Sequence, residues 1–326
     1  MRIRIGFPRG LWFYDYFPLW EGFYRELGAE IIVSDYTNRT ILNAGVKNTV
    51  EEACLPVKIF HGHILNLKDR VDYIFLPKIM SVYRGEYTCP KFCGLPEMVS
   101  HSIKGLPPII DTTINFNKSR KDLNKTICKF ANYLTKDPIR IRRAYKKGLE
   151  NYYDYKDKLR KGYFPIKRGF VGGDERTSEI TIALLGHSYN IYDNYGSMGL
   201  IEKLLDQGIG IITPEMLAYK KINRAAGSLD KQMFWTYGRK LLGSAIYLSR
   251  SEDIDGIIYL SSFGCGIDSI IQELAQREAR RGNRMPFLLI TVDEHTGEAG
   301  INTRLEAFID MIEWRKKSEN NLSTYG

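Results

Sequence analysis

The residues of this chain best suited to chemistry are its cysteines, and the most telling of them is Cys265. It lies in Ser261-Ser262-Phe263-Gly264-Cys265-Gly266-Ile267-Asp268-Ser269, directly after the apolar run Gly256-Ile257-Ile258-Tyr259-Leu260. An apolar run of about five residues, closed by small residues and opening into Ile270-Ile271-Gln272-Glu273-Leu274, predicts strand, tight turn and helix. Cys265 then stands at a helix N-terminus, where backbone N–H groups and the positive end of the dipole favour a thiolate. Gly264 and Gly266 let a bulky group approach the backbone there. A cysteine so placed is a metal ligand or a nucleophile; the plain alternative is a small buried thiol in a strand-to-helix turn.

Four other cysteines, Cys54, Cys89, Cys93 and Cys128, make the count odd. In a chain read as cytoplasmic, that number argues for metal or thiol chemistry over a disulfide framework. If two halves of the chain face each other, Cys54, Cys89 and Cys265 converge in one cleft. Three thiolates from separate segments, with Cys89 followed by Pro90, suit an iron–sulfur cubane with one iron left open. Zinc competes, but Cys89 and Cys93 supply at most half of a structural zinc site. Ordinary buried cysteines remain the third reading.

Other groups fall beside these. His295, between Glu294 and Thr296 after a strand, is an acid/base candidate, although Asp293 and Glu294 also suit the capping of a turn. His187, just after Gly186, suits an anionic group or an ordinary loop. His61 and His63, flanking Gly62 on a helix, read as surface or packing residues.

The elements that must hold these groups alternate between strand and helix. Strands are expected at 2–6, 30–34, 72–77 and 106–111, with helices at 11–27 and from Glu51 to Leu67. A second series begins at Glu179, with strands at 179–186, 210–214, 256–260 and 287–292 and a last helix at 302–315. This is an α/β protein of two Rossmann-like (flavodoxin-like) domains with parallel sheets, 1–115 and 179–326, joined by a basic helical arm at 116–178. In open parallel sheets ligands gather at the carboxyl ends of strands. The turns 7–10, 187–193, 263–269 and 293–300 and the Cys89 loop all fall there.

The chain has 326 residues and a formal charge of +9. Between Lys118 and Arg168 it carries 17 Lys/Arg against 5 Asp/Glu, a net of +12 that leaves −3 for the rest. The tyrosines of this arm, such as Tyr145, Tyr152 and Tyr155, could stack on bases, but a solvated helical face with a tyrosine-lined inner stripe is the reading preferred. No apolar run approaches the ~20 residues of a membrane span, and no signal segment is read at Met1, so the expectation is a cytoplasmic protein with no membrane partner.

Several stretches resemble one family: Ile5-Gly6-Phe7-Pro8-Arg9-Gly10-Leu11, Glu52-Ala53-Cys54-Leu55-Pro56-Val57-Lys58, Cys89-Pro90 with Leu95-Pro96-Glu97, Gly186-His187-Ser188-Tyr189-Asn190-Ile191-Tyr192-Asp193, Phe263-Gly264-Cys265-Gly266-Ile267-Asp268, and Asp293-Glu294-His295-Thr296-Gly297-Glu298-Ala299-Gly300 through Phe308. They are similar to proteins related to 2-hydroxyacyl-CoA dehydratases, described as CoA-substrate-specific enzyme activase or activase-related proteins and kin to double-cubane cluster proteins.

The resemblance implies a 4Fe-4S cluster with Cys54, Cys89 and Cys265 as ligands. It also implies electrons from a separate ATP-hydrolysing activator, since this chain has no nucleotide-binding segment of that kind, and a CoA thioester substrate. The activity implied is that of a dehydratase-like lyase or an ATP-coupled reductase component, in a homodimer or heterodimer. Cys93 is a candidate fourth ligand, and Cys128 is not a ligand. Arg9, His187 and Asn190 are assigned to cofactor or substrate contacts, Glu294 and His295 to catalysis. Two other readings stand beside this one: a non-catalytic binding or scaffold protein that holds an acidic partner or RNA on its arm, and a zinc- or thiol-dependent acyltransferase using Cys265.

Overall fold

The computed structural model describes residues 2–117, 122–166, 169–173, 178–229, 231–281 and 285–323. The first half runs β1 (Arg4–Phe7), α1 (Phe13–Glu26), β2 (Glu30–Val33), α2 (Arg39–Lys47), α3 (Leu55–Leu67), β3 (Tyr73–Phe75), β4 (Lys78–Ser81), α4 (Pro90–Cys93), α5 (Leu95–Ser102), β5 (Ile109–Ile110) and β6 (Thr113–Asn115). Strands β2, β1, β3 and β5 form one parallel sheet in that order. Ile5, Phe7, Ile74, Phe75 and Ile110 are buried, as strands covered on both faces require. Gly28, at φ +95°, ends α1 where a left-handed residue is needed.

The sequence places single strands at 72–77 and 106–111; each is shorter, as β3 and β5, and a second short strand follows it. Pro77 has no N–H for a ladder, so the chain restarts as β4, which pairs with β6 in a separate two-stranded sheet. The helix expected from Glu51 starts at Leu55, with Cys54 as its N-cap.

The basic arm is not wholly helical. Helices α6 (Leu123–Ala131) and α7 (Pro138–Arg160) precede a short antiparallel pair, β7 (Tyr163–Phe164) with β8 (Val171–Gly172), which no sequence pattern announced. Residues 118–121, 167–168 and 174–177 of the arm lie outside the described residues. Helix α7 lies along α1 of the first half, and glycines permit the approach: a Cβ on Gly148 would stand 2.4 Å from the Leu19 carbonyl oxygen. Tyr155 donates its hydroxyl to the Tyr14 carbonyl at 2.6 Å, and Tyr152 stacks on Tyr16. Arg142 and Lys146 face solvent. The inner tyrosine stripe is thus a packing surface.

The second half runs β9 (Thr181–Gly186), α8 (Ser188–Ile191), α9 (Leu200–Asp206), β10 (Gly210–Ile212), α10 (Tyr219–Ala226), α11 (Thr236–Leu248), β11 (Gly256–Ser262), α12 (Gly266–Arg281), β12 (Phe287–Val292) and α13 (Glu298–Ser323). Its parallel sheet has the order β10-β9-β11-β12. In chain order both sheets read second, first, third, fourth, the arrangement of a flavodoxin-like half. One apolar cluster includes Phe7 and Phe75 of the first sheet and Leu184, Ile258 and Leu260 of the second, so the halves share a core. No described helix is long and apolar enough to cross a membrane.

Candidate metal centre between the two sheets

In each sheet the strand order reverses between the first and third strands, and the crevice at their carboxyl ends is where such folds bind ligands. In the second sheet those strands are β9 and β11. The turn after β9 delivers His187 and Asn190, and the turn after β11 delivers Cys265 and, on the first turn of α12, Asp268. Leu260 pairs with Gly186, which brings the two turns side by side.

Cys54 comes to the same place from the first half. A Cβ on Gly264 would stand 3.3 Å from the Cys54 Cα, so the backbones bearing Cys54 and Cys265 nearly touch, and Gly264 itself holds φ +76°. A side chain at 264 would be both strained and crowded. Cys265 packs with Cys54, Ala53 and Val57. Cys89, the residue before α4, is the third member: Cys54 and Cys89 each raise the cost of ionising Cys265.

Burial is the main reason that all three thiols sit above their ordinary range, with Asp268 adding to the effect at Cys265. The helix N-terminus expected to favour a thiolate at Cys265 is therefore outweighed by desolvation. The Lys91 charge acts the other way on Cys54 and Cys89. The Asp268 backbone N–H donates to Cys265 Sγ at 3.5 Å. Cys93 is turned away, its thiol donating to the Ile79 carbonyl at 3.7 Å, and Cys128 is exposed on α6.

Around the thiols lie polar groups that need partners. His187 is 2% exposed and Asp268 0%. His187 Nε2 approaches Asp268 Oδ1 to 3.2 Å, but off the hydrogen-bonding direction, so both ring nitrogens lack a hydrogen bond. Asp268 Oδ1 accepts from the Tyr259 hydroxyl at 2.9 Å, while its Oδ2 has no partner. Asn190 accepts from Ser262 Oγ at 3.0 Å and leaves its Nδ2 unpaired. Buried orphan donors and acceptors are costly, and in native proteins water, an ion or a ligand completes them. One ligand atom each from His187, Cys265 and Asp268 lies within 4.8 Å of the others, close enough for a single ion. The three cysteines do not form so tight a group.

The remaining sequence candidates are elsewhere. Arg9, at the carboxyl end of β1, lies over Tyr36 at 4.0 Å and gives its backbone N–H to Ser34 Oγ at 2.9 Å. Ser34 Oγ is 3.0 Å from His63 Nδ1, His63 Nε2 is 3.0 Å from Thr37 Oγ1, and Thr37 donates to Asp193. That order of donors fixes a neutral His63 with its proton on Nε2. Burial pushes His63 down to about 3. His61, likewise buried, has Nδ1 2.8 Å from the Val57 carbonyl oxygen. Neither histidine is a surface residue: Gly62 packs against the α2 backbone, carrying both neighbours inside.

Glu294 is held by Lys58, one turn after Cys54, at 2.5 Å. Burial raises its carboxyl, but the Lys58 hydrogen bond and charge outweigh this and leave it below its ordinary value. His295 is exposed, with its N–H on the Asp293 carboxylate that caps the turn. Sequence reasoning placed backbone hydrogen bonds to sulfur along Gly264 to Asp268 but missed roles for Ser262, Tyr259, Lys58, Lys91 and the Asp268 carboxylate. Lys58, Tyr259, Ser262 and Asp268 all stand within the stretches quoted around Cys54 and Cys265, which is the signal that could have been used.

Residues 4–217 match the family model described as "CoA enzyme activase uncharacterised domain (DUF2229)". The matched span carries Arg9, Cys54, Cys89, Cys93, His187 and Asn190, and stops before Cys265 and Glu294. No curated protein matches the chain.

Proposed function

The chain belongs to this CoA enzyme activase domain family, and we propose that it is an iron–sulfur, dehydratase-like protein with a 4Fe-4S cluster held by Cys54, Cys89 and Cys265. The observation that carries the proposal is the meeting of one buried and two half-buried thiols from three segments beside orphaned polar atoms. The cluster, when bound, supplies one-electron chemistry at low potential. Thiols pushed above their ordinary range stay protonated without a metal and release protons on binding one. This also weighs against Cys265 as a free nucleophile in acyl transfer.

Within this reading the chain's own residues set the surroundings. The Asp268 N–H donates to Cys265 sulfur and Lys91 supplies positive charge beside Cys54 and Cys89, both of which favour added negative charge. His187, Asn190 and Asp268 offer unpaired polar atoms to whatever enters the crevice. The electron donor is a separate ATP-hydrolysing activator. The site either acts on a CoA thioester, as a dehydratase-like lyase, or relays electrons as an ATP-coupled reductase component, in a homodimer or heterodimer. The inward-turned tyrosines of the arm weigh against a nucleic-acid or acidic-partner scaffold.

The test is anaerobic purification with iron, sulfide and zinc measured per chain, for the wild type, Cys265→Ala and Cys54→Ala. About four irons with matching sulfide, lost in both variants, is the expected result. A second reading, one ion on His187, Cys265 and Asp268, rests on their proximity. It predicts one metal per chain, kept in Cys54→Ala and lost in Cys265→Ala. A metal-free anaerobic preparation overturns both.

A further inference from the structure

A second cavity, of about 240 Å³, lies where α1, α7 and the second half meet, and Tyr16, Tyr83, Tyr152, Tyr219, Lys156 and Arg239 are among its lining residues. Two stacked tyrosine pairs, Tyr16 with Tyr152 and Tyr83 with Tyr219, belong to the lining. Burial holds the hydroxyls of Tyr16, Tyr83 and Tyr152 above their ordinary range, so at neutral pH they are donors and not phenolates.

Each base around this cavity has an acid beside it, but the pairs are unequally close. Glu215 holds Lys240 at 2.5 Å, and Glu86 stands 3.4 Å from Arg239. Asp15 accepts from Ser188 at 2.7 Å and from Tyr237 at 3.1 Å, so its carboxylate is already solvated. Its distance to the Lys156 ammonium is 3.9 Å, too long for a hydrogen bond. Burial pushes the Lys156 ammonium below its ordinary value, and Asp15 only partly offsets this. Arg160 pairs with Asp157 on the surface, whereas Arg239 Nη1 is buried without a partner.

An ammonium 3.9 Å from its carboxylate and neutral phenol donors around one cavity suit an oxyanion. Aromatic walls select one with an organic body, since pockets of this kind bind through apolar contact and orient their ligand with a few polar groups. We infer that this cavity binds a small organic carboxylate, with Lys156 as its charge partner and the tyrosine hydroxyls as donors. Tyr237 connects the cavity to the thiol crevice: its hydroxyl reaches Asp15 and its ring lies edge-on to His187, 5.6 Å between centroids. The binding argument uses none of the cysteines and holds whether or not they carry a metal.

The test is calorimetric titration of the full chain with butyrate, benzoate and succinate, with butyramide and benzamide as neutral matches, and with inorganic phosphate. The expected result is saturable binding of at least one carboxylate, one per chain, with no binding of the amides. Lys156→Met should weaken it about tenfold or more, and Tyr152→Phe by a smaller factor, each with an unchanged circular dichroism spectrum. Should Lys156→Met fail to fold, weakening by Tyr152→Phe and Tyr83→Phe together supports the same assignment. Absence of saturable carboxylate binding, equal binding of an amide or of phosphate, or unchanged affinity in the folded variants overturns it.

Discussion

The two sheets have the same strand order, yet their crevices are finished in opposite ways. At the carboxyl edge of the first, Arg9, Ser34, His63, Thr37 and Asp193 form an unbroken run of hydrogen bonds in which every donor finds an acceptor. At the edge of the second, His187, Asn190 and Asp268 are as deeply buried but keep unpaired atoms beside three thiols. The first crevice satisfies its polar groups with its own side chains, whereas the second keeps polar groups in need of a ligand. Equivalent positions in duplicated topology therefore need not share a role, and satisfaction of buried polar atoms tells them apart.

Paired substitutions break or sharpen this contrast. His63→Leu removes the middle of a complete chain and strands Ser34 and Thr37, so a loss of about 2–4 kcal/mol in urea unfolding is expected. His187→Leu in the metal-free protein should cost about 1 kcal/mol or less, because neither ring nitrogen is hydrogen-bonded there. Equal losses at the two positions would erase the distinction.

Acidification probes the first crevice through His63. His63 is held at about 3, far below an unfolded histidine at ~6.5, so the unfolded chain takes up a proton that the folded chain refuses. Its contribution is complete above about pH 6.5 and is lost as pH falls towards 3, at about 1.4 kcal/mol per pH unit. His61, also lowered by burial, acts in the same direction. Unfolding followed from pH 7 to 5 in wild type and His63→Leu should show a shallower slope in the variant; parallel slopes would refute the assignment. The smallest effect is expected on the arm, where Arg142→Gln with Lys146→Gln should change stability by about 0.5 kcal/mol or less.

Much of this was legible in the sequence, and for a physical reason. Period, length and small-residue closures are local signals, so the strands at β1, β2, β9, β11 and β12, the Gly28 stop and the Cys265 turn could be read directly. The β4–β6 pair could not, because each strand has only three or four residues and is fixed by a partner more than thirty positions away. His63 misled because its neighbours in sequence say nothing of Ser34, Thr37 and Asp193. Lys156 was seen as one charge in a basic run, and only the packing of α7 on α1 turns it inward. The cysteines were found by type, but the orphaned atoms around them depend on angles that no spacing encodes.

The near contact of Gly264 with Cys54 sets a schedule for biosynthesis. The two segments are about two hundred residues apart, and the first half emerges from the ribosome with Cys54 and Cys89 facing a surface that does not yet exist. The thiol set becomes complete only after β11 has joined its sheet and the halves have docked. Under the proposed function, insertion of a metal into this set would be a late event in the life of the chain, and a nascent or truncated first half would present two cysteines to the cell without the residues that enclose them.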